Sequence, residues 1–220
     1  MARRARGRRR RAPRKYSPRL LLYCEGKATE YEYLARLNSE YKRSQGPVLA
    51  PKRGKGTDAI SVVRRAIHEG MGDENYSEDD GDRVYVVLDV EPHDQSKVAA
   101  LRQALSLAEA KGVSVLLSNP AFEYWLLCHV LPANRLTKQI PSAKDADVLL
   151  QKELGYGKAQ FHANPCLFEQ LIEKVKEAVE NASQVHLGHH QGTTDIAKAN
   201  PCTTVYRLVG YITGQYKELP

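Results

Sequence analysis

Arg83-Val84-Tyr85-Val86-Val87-Leu88-Asp89 is a continuous, β-branched apolar run that stops on an acid. A strand buried on both faces reads this way, without the polar alternation of a half-wet sheet. Leu20-Leu21-Leu22-Tyr23-Cys24 is a second such run, and it too stops on an acid, Glu25, followed by Gly26. Val113 to Leu117 gives another strand, and Val48-Leu49-Ala50 a weaker one. Helical spacing fills the intervals. Tyr31, Leu34, Leu37 and Tyr41 follow a capping-box pattern at Thr29 and Glu32. Ile60, Val63 and Ile67 follow Thr57 or Asp58 as cap, and Val98, Leu101, Leu105 and Ala108 share a face over 95–111, closed by Gly112. Asn119 and Pro120 predict the start of one more helix.

Strand–helix alternation with short connections predicts an α/β fold, a mostly parallel sheet with helices on both faces. Residues 70–82 read as an exposed loop, with the acids from Asp73 to Asp82 on a solvated connection. From about residue 140 the strand signal fades. Residues 145–154, 165–181 and 202–215 predict helices, with Leu167, Phe168, Leu171, Ile172, Val175 and Val179 on a packed face. The expected organisation is an arginine-rich tail (1–18), an α/β core (19–140) and a C-terminal helical extension (141–220) packed on that core.

The net charge of +7 sits in the tail. Residues 1–19 carry nine arginines and Lys15 with no acid, leaving 23 basic against 26 acidic residues in 20–220. The block holding Arg8, Arg9, Arg10 and Arg11 is expected to be disordered and to neutralise nucleic-acid phosphates, or else to be a solubilising extension. It has no apolar stretch behind it, so it does not read as a secretory signal, and no run of about 18 apolar residues could span a membrane. The cysteines Cys24, Cys128, Cys166 and Cys202 form no CxxC pair, which suits free thiols in a reducing cytoplasm.

Ligands of an open parallel sheet bind beyond the carboxyl ends of its strands. Glu25 and Asp89 stand there, and Glu91 lies two residues on, on the same side as Asp89 if the chain stays extended. Gly26 allows close backbone approach. Clustered carboxylates repel unless a cation lies between them, and hard oxygen donors suit Mg²⁺ or Mn²⁺. Glu25 as a dipole-favoured acid and Asp89 as a turn residue are the plainer alternatives. Glu123, among Phe122, Trp125 and Leu126, reads as a buried acid facing the same edge. Lys158 could steady phosphate charge. Lys52, Arg53 and Lys55 could touch a nucleic-acid backbone. The loop 53–57 lacks the G-x-x-x-x-G-K-[ST] spacing, which excludes ATP hydrolysis by this chain. Asp94 reads as a helix cap, His129 as a core histidine, and His186, His189 and His190 as part of a polar loop.

Tyr23-Cys24-Glu25-Gly26-Lys27-Ala28-Thr29-Glu30, with Tyr33, resembles the opening motif of the RloB family. The segment Ser118-Asn119-Pro120-Ala121-Phe122-Glu123-Tyr124-Trp125-Leu126-Leu127-Cys128-His129 resembles its second signature, and Gly155 to Lys158 and Asn200 to Thr203 are similar as well. The resemblance implies a Toprim-like fold in which Glu25, Asp89 and Glu91 hold Mg²⁺. Here Asp-Val-Glu stands where Asp-x-Asp is usual, moving the third carboxylate out by one methylene. The resemblance also implies a metal-dependent nuclease of bacterial anti-phage defence, cutting DNA or RNA (tRNA included), with an ATPase partner of AAA or ABC type (RloA-like). A homo-oligomer is compatible with it. The alternative from another class is a non-catalytic subunit that binds nucleic acid or that ATPase.

Overall fold

The computed structural model describes residues 17–41, 47–55, 58–190 and 198–220. Arg8, Arg9, Arg10 and Arg11 lie outside them, as does Thr57. The chain is α/β, with a five-stranded sheet in the order β2-β1-β3-β4-β5. Strands β1 (Arg19–Cys24), β2 (Val48–Lys52), β3 (Arg83–Asp89) and β4 (Ser114–Asn119) are parallel; β5 (Cys202–Thr203) is antiparallel to β4. The two longest apolar runs of the sequence are thus neighbours at the centre, Leu20 opposite Arg83 through Cys24 opposite Val87.

Period-two alternation sends the central strands into two cores. Leu21, Tyr23, Val84, Val86 and Leu88 pack on α2 (Ala59–Arg65) and α3 (Gln95–Lys111). Leu20, Leu22, Cys24, Tyr85 and Val87 face the other way, against α1 (Thr29–Tyr41), α4 (Phe122–Leu127) and the later helices. Those are α5 (Ala143–Leu154), α6 (Lys158–Ala163), α7 (Leu167–Ile172), α8 (Val175–His190) and α9 (Val205–Thr213). Helices from 143 to 213 share one continuous core with that face of the sheet. No helix among the described residues is long and apolar enough to cross a membrane.

Several local expectations change. The helix expected over 165–181 divides at Glu173 into α7 and α8, and α8 runs on through His186 to His190 in place of a polar loop. The helix expected from 202 begins at Val205, because Cys202 and Thr203 pair with β4 and Leu117 N–H donates to Thr204 Oγ1 at 2.9 Å. Asn119 ends β4 instead of capping a helix: it pairs with Cys202, its Oδ1 accepts from Asn200 Nδ2 at 2.9 Å, and the Asn119–Pro120 peptide is cis. The acidic connection is not simply solvated. Asp82 is fully buried and accepts from the backbone and guanidinium of Arg19, at 2.8 and 3.0 Å, which seals the start of β1. Asp58 and Asp94 cap α2 and α3, and Gly112 closes α3 in the left-handed region (φ 71°).

Candidate metal centre

The ladder between the two central strands continues one step past β1, where Glu25 N–H donates to Val87 O at 3.1 Å. That step lifts the Glu25 side chain over the end of β3, and its Oε2 accepts from Asp89 N–H at 3.2 Å. Glu25 and Asp89, distant in sequence, are therefore neighbours at the carboxyl edge of the sheet.

The next turn brings in an acid that periodicity did not single out. Glu30 lies in the first turn of α1, is buried, and its Oε1 accepts from Gly26 N–H at 3.2 Å. A Cβ on Gly26 would meet Glu30 Oε2 at 2.2 Å. The glycine's role is to leave room for that carboxylate. The expected capping box does not form: Thr29 Oγ1 bonds His162 Nε2 at 2.8 Å, and Glu32 pairs with Arg53. Glu123, only 1% exposed in the first turn of α4, contacts Lys158 Nζ at 2.8 Å. Lys158 opens α6, where Asp147 Oδ1 accepts from its backbone N–H at 2.7 Å.

Glu25, Glu30, Asp89, Glu91, Lys97 and Lys158 line one cleft of about 390 Å³. Burial pushes the Glu25 carboxyl up to about 7, Glu91 and Glu30 add to the rise, and the Asp89 N–H and Lys97 oppose it. Asp89 is held well above the carboxylate range by burial first, then by Glu30, Glu123 and Glu25, against Lys158. Glu30 is raised by burial and then by Glu123, with the backbone N–H bonds it accepts and Lys158 opposing. Lys158 is raised: burial alone would lower it, but Glu123, Glu30 and Asp89 outweigh that.

Buried polar atoms are normally hydrogen-bonded. Here Asp89 Oδ1 and Glu123 Oε2 have no hydrogen-bond partner among the described residues. The oxygen donors gathered here are of the kind that suits a hard cation such as Mg²⁺ or Mn²⁺. Among the described residues no group of three His, Cys, Asp or Glu side chains stands ready to hold a metal. That is compatible with Mg²⁺, which commonly takes one or two carboxylates and completes its shell with water and substrate phosphate.

Of the residues singled out in sequence, Glu25, Asp89, Glu91 and Lys158 line this cleft, and Glu123 is joined to it through Lys158. Glu91 does not continue extended from Asp89. Its φ of 44° turns it aside, its N–H donates to Pro120 O at 3.1 Å, and its carboxylate pairs with Lys97. Arg53 lies 4.3 Å over the Tyr31 ring and donates to Lys27 O at 3.0 Å, while Lys55 pairs with Glu69. Both fasten the β2–α2 loop, and Lys52 ends β2 at the surface. His129 is a core residue, bonded to Trp125 O and the Tyr33 hydroxyl, each at 3.0 Å.

Gly54 ties this loop to the site. Its N–H donates to Gly26 O at 3.0 Å, and a Cβ there would sit 2.0 Å from that oxygen and 2.4 Å from Glu25 O. Both obstacles are backbone and cannot swing away. Gly54→Ala is expected to cost about 2–3 kcal/mol, the upper range for overpacking, and to weaken Mn²⁺ binding by displacing Glu25. Urea unfolding and metal titration check both; unchanged values would mean that the loop yields freely.

No curated protein and no solved structure matches the chain. A family model described as RloB-like protein matches residues 20–212, a span that takes in both central strands except Arg19, every acid of the cleft and Lys158. The chain belongs to the RloB-like protein family.

Proposed function

We propose that this chain is a divalent-metal-dependent nuclease, hydrolysing phosphodiester bonds of DNA or RNA as an effector of anti-phage defence. The observation that carries the reading is the buried Asp89, whose Oδ1 has no hydrogen-bond partner among the described residues, in a cleft that also holds Glu25, Glu30 and Glu91, with Glu123 behind Lys158. Nothing in the packing of the core requires acids gathered at this edge, and a hard cation held by one or two of them would offset their mutual repulsion.

Glu25 and Asp89 would hold Mg²⁺ or Mn²⁺, with Glu30 and Glu123 adding negative charge beside them. A bound ion supplies charge neutralisation for the phosphodiester and a water of lowered pKa. The chain's own contribution is placement. Glu25 and Asp89 sit on rigid strand ends, Gly26 and Gly54 set the loop between them, and Lys158 presents a positive Nζ to the cleft, where it can meet a phosphate oxygen. The arginines of the tail would add sequence-independent attraction to the polymer. The defence role and an ATPase partner follow from family resemblance.

A second reading, a non-catalytic subunit that binds nucleic acid or the ATPase, is favoured by one observation: Glu91 is turned away and paired with Lys97. Cleavage assays on plasmid DNA, single-stranded RNA and tRNA, with and without an ATPase partner, decide between the two. The nuclease reading expects cleavage in Mg²⁺ or Mn²⁺ that EDTA abolishes and Lys158→Met lowers at least about a hundredfold. A folded, metal-binding protein inert on all substrates would leave the binding module standing.

A further inference from the structure

Glu91 carries the one left-handed backbone among the described non-glycine residues. Such a conformation is unfavourable for a glutamate and persists only where neighbours enforce it. Here they are plain. Val90 N–H donates to Ser118 O at 2.9 Å, Glu91 N–H to Pro120 O at 3.1 Å, and Asp94 N–H to Glu91 O at 3.1 Å. The backbone of 90–94 is thus clamped between the end of β4 and the start of α3. Only the Glu91 side chain is left to choose a direction.

It chooses Lys97. Asp94 Oδ1 accepts from the backbone N–H of Ser96 and Lys97, at 3.0 and 3.2 Å, which places Lys97 in the first turn of α3 with its chain lying back over Glu91. Glu91 and Lys97 both line the acidic cleft with Glu25 and Asp89. They also line a second groove of about 290 Å³ with His93, Pro141 and Ser142. The ion pair therefore stands as a partition between the two. The side chains are 33% and 57% exposed, so the pair is a solvent-screened one of the kind that contributes little and is readily exchanged.

We propose that Lys97 is a latch that holds the Glu91 carboxylate to one wall of the acidic cleft and gives it up to a divalent cation, Glu91 swinging to the cation and Lys97 being left free to meet a phosphate. The inference rests on the metal reading of the cleft. It gives the glutamate at position 91 a physical purpose: on a clamped backbone the longer side chain has more reach with which to exchange the lysine for a cation. Glu91 is then a positioning residue in the metal-free protein and a ligand only afterwards.

The test is Mn²⁺ affinity by calorimetry on the full chain, in wild type, Lys97→Met, Lys97→Arg, Glu91→Gln and the double variant Glu91→Gln/Lys97→Met. The latch expects Lys97→Met to tighten Mn²⁺ binding about fivefold, in line with a weak exposed pair, and Lys97→Arg to match wild type. Glu91→Gln should weaken binding about fivefold, and in that background Lys97→Met should change affinity less than about twofold. Equal tightening in both backgrounds would show Lys97 acting only as a distant positive charge, and no tightening in either would remove the latch altogether. A wild type that takes up no Mn²⁺ overturns the metal reading and the latch with it; one that binds normally while Lys97→Met is indistinguishable from it overturns the latch alone. Melting of each variant in EDTA confirms the fold, and Glu91→Gln gives an independent arm should Lys97→Met fail to fold.

Discussion

Asp89→Asn is expected to melt higher than the wild type in EDTA and yet to lose metal-dependent cleavage by about a thousandfold or more. The two effects have one cause. In the metal-free protein Asp89 is a buried acid beside Glu25, Glu30 and Glu123, and its carboxyl is held well above its ordinary value by burial and by those neighbours. A carboxyl whose folded pKa is raised contributes stability below its unfolded pKa, near 3.9, and loses it as pH climbs through the folded value. At neutral pH that loss is in force. An amide removes the charge, and its N–H₂ can donate to the acids around it. A gain of about 1–2 kcal/mol is expected, roughly 3–6 °C for a chain of this size. Adding Mg²⁺ should reverse the ranking, since saturating ligand stabilises wild type by about 2.7 kcal/mol at a hundred times Kd and the variant hardly at all. Thermal melts in EDTA and in Mg²⁺, beside a cleavage assay, read all of this. A variant less stable than wild type in EDTA would mean that Asp89 is structurally satisfied in a way the orphaned Oδ1 denies.

How much of this could be read from residues alone follows from the range of the forces involved. Continuous apolar runs that stop on acids identify parallel strands and their carboxyl ends, so Glu25 and Asp89 were legible as partners before any coordinates. Glu123 was legible from its apolar neighbours. Glu30 was not: its burial depends on the room a missing Cβ leaves at Gly26, and the Thr29–Glu32 pattern drew attention to the wrong acid. The extended course expected from Asp89 to Glu91 was not legible as a turn, because that turn is imposed by carbonyls of the distant β4–α4 connection. Strand β5 has two residues and is held by contacts such as Ser118 Oγ to Thr203 Oγ1 at 2.9 Å, so no local period announces it. Asp82 hides beneath Arg19, sixty-three residues away in sequence. Apart from Glu30, whose room is made four residues away at Gly26, the missing information is a long-range contact made by one or two atoms.

His129 supplies the second large effect, an acid-labile fold whose lability depends on metal. Trp125 O can only accept, so His129 Nδ1 carries the proton and Nε2 accepts from the Tyr33 hydroxyl. Burial holds the imidazole neutral, down to about 4, with Lys174 adding to the fall and the backbone bonds at Trp125 and Leu126 opposing it. A histidine with a depressed folded pKa costs stability as pH falls from its unfolded value, about 6.5, to the folded one, here up to about 3 kcal/mol. Glu25 runs the other way. Its folded value of about 7 removes a similar amount, on the order of 2–3 kcal/mol, as pH rises from about 4.5 to 7. The two slopes oppose each other across nearly the same window. In EDTA they should largely cancel, so that stability of the wild type changes little between pH 4.5 and 6.5 on their account. Bound Mg²⁺ keeps Glu25 ionised at no cost and so removes its limb, and stability should then rise steeply over that interval. His129→Gln removes the opposing limb, and in EDTA its stability should fall with pH more steeply than that of the wild type. Urea unfolding at four pH values from 4.5 to 7.5, with and without Mg²⁺, measures each slope. If His129→Gln and wild type show parallel curves in EDTA, the buried imidazole does not titrate with folding, and the neutral hydrogen-bonded pair with Tyr33 is not what the acid limb reports.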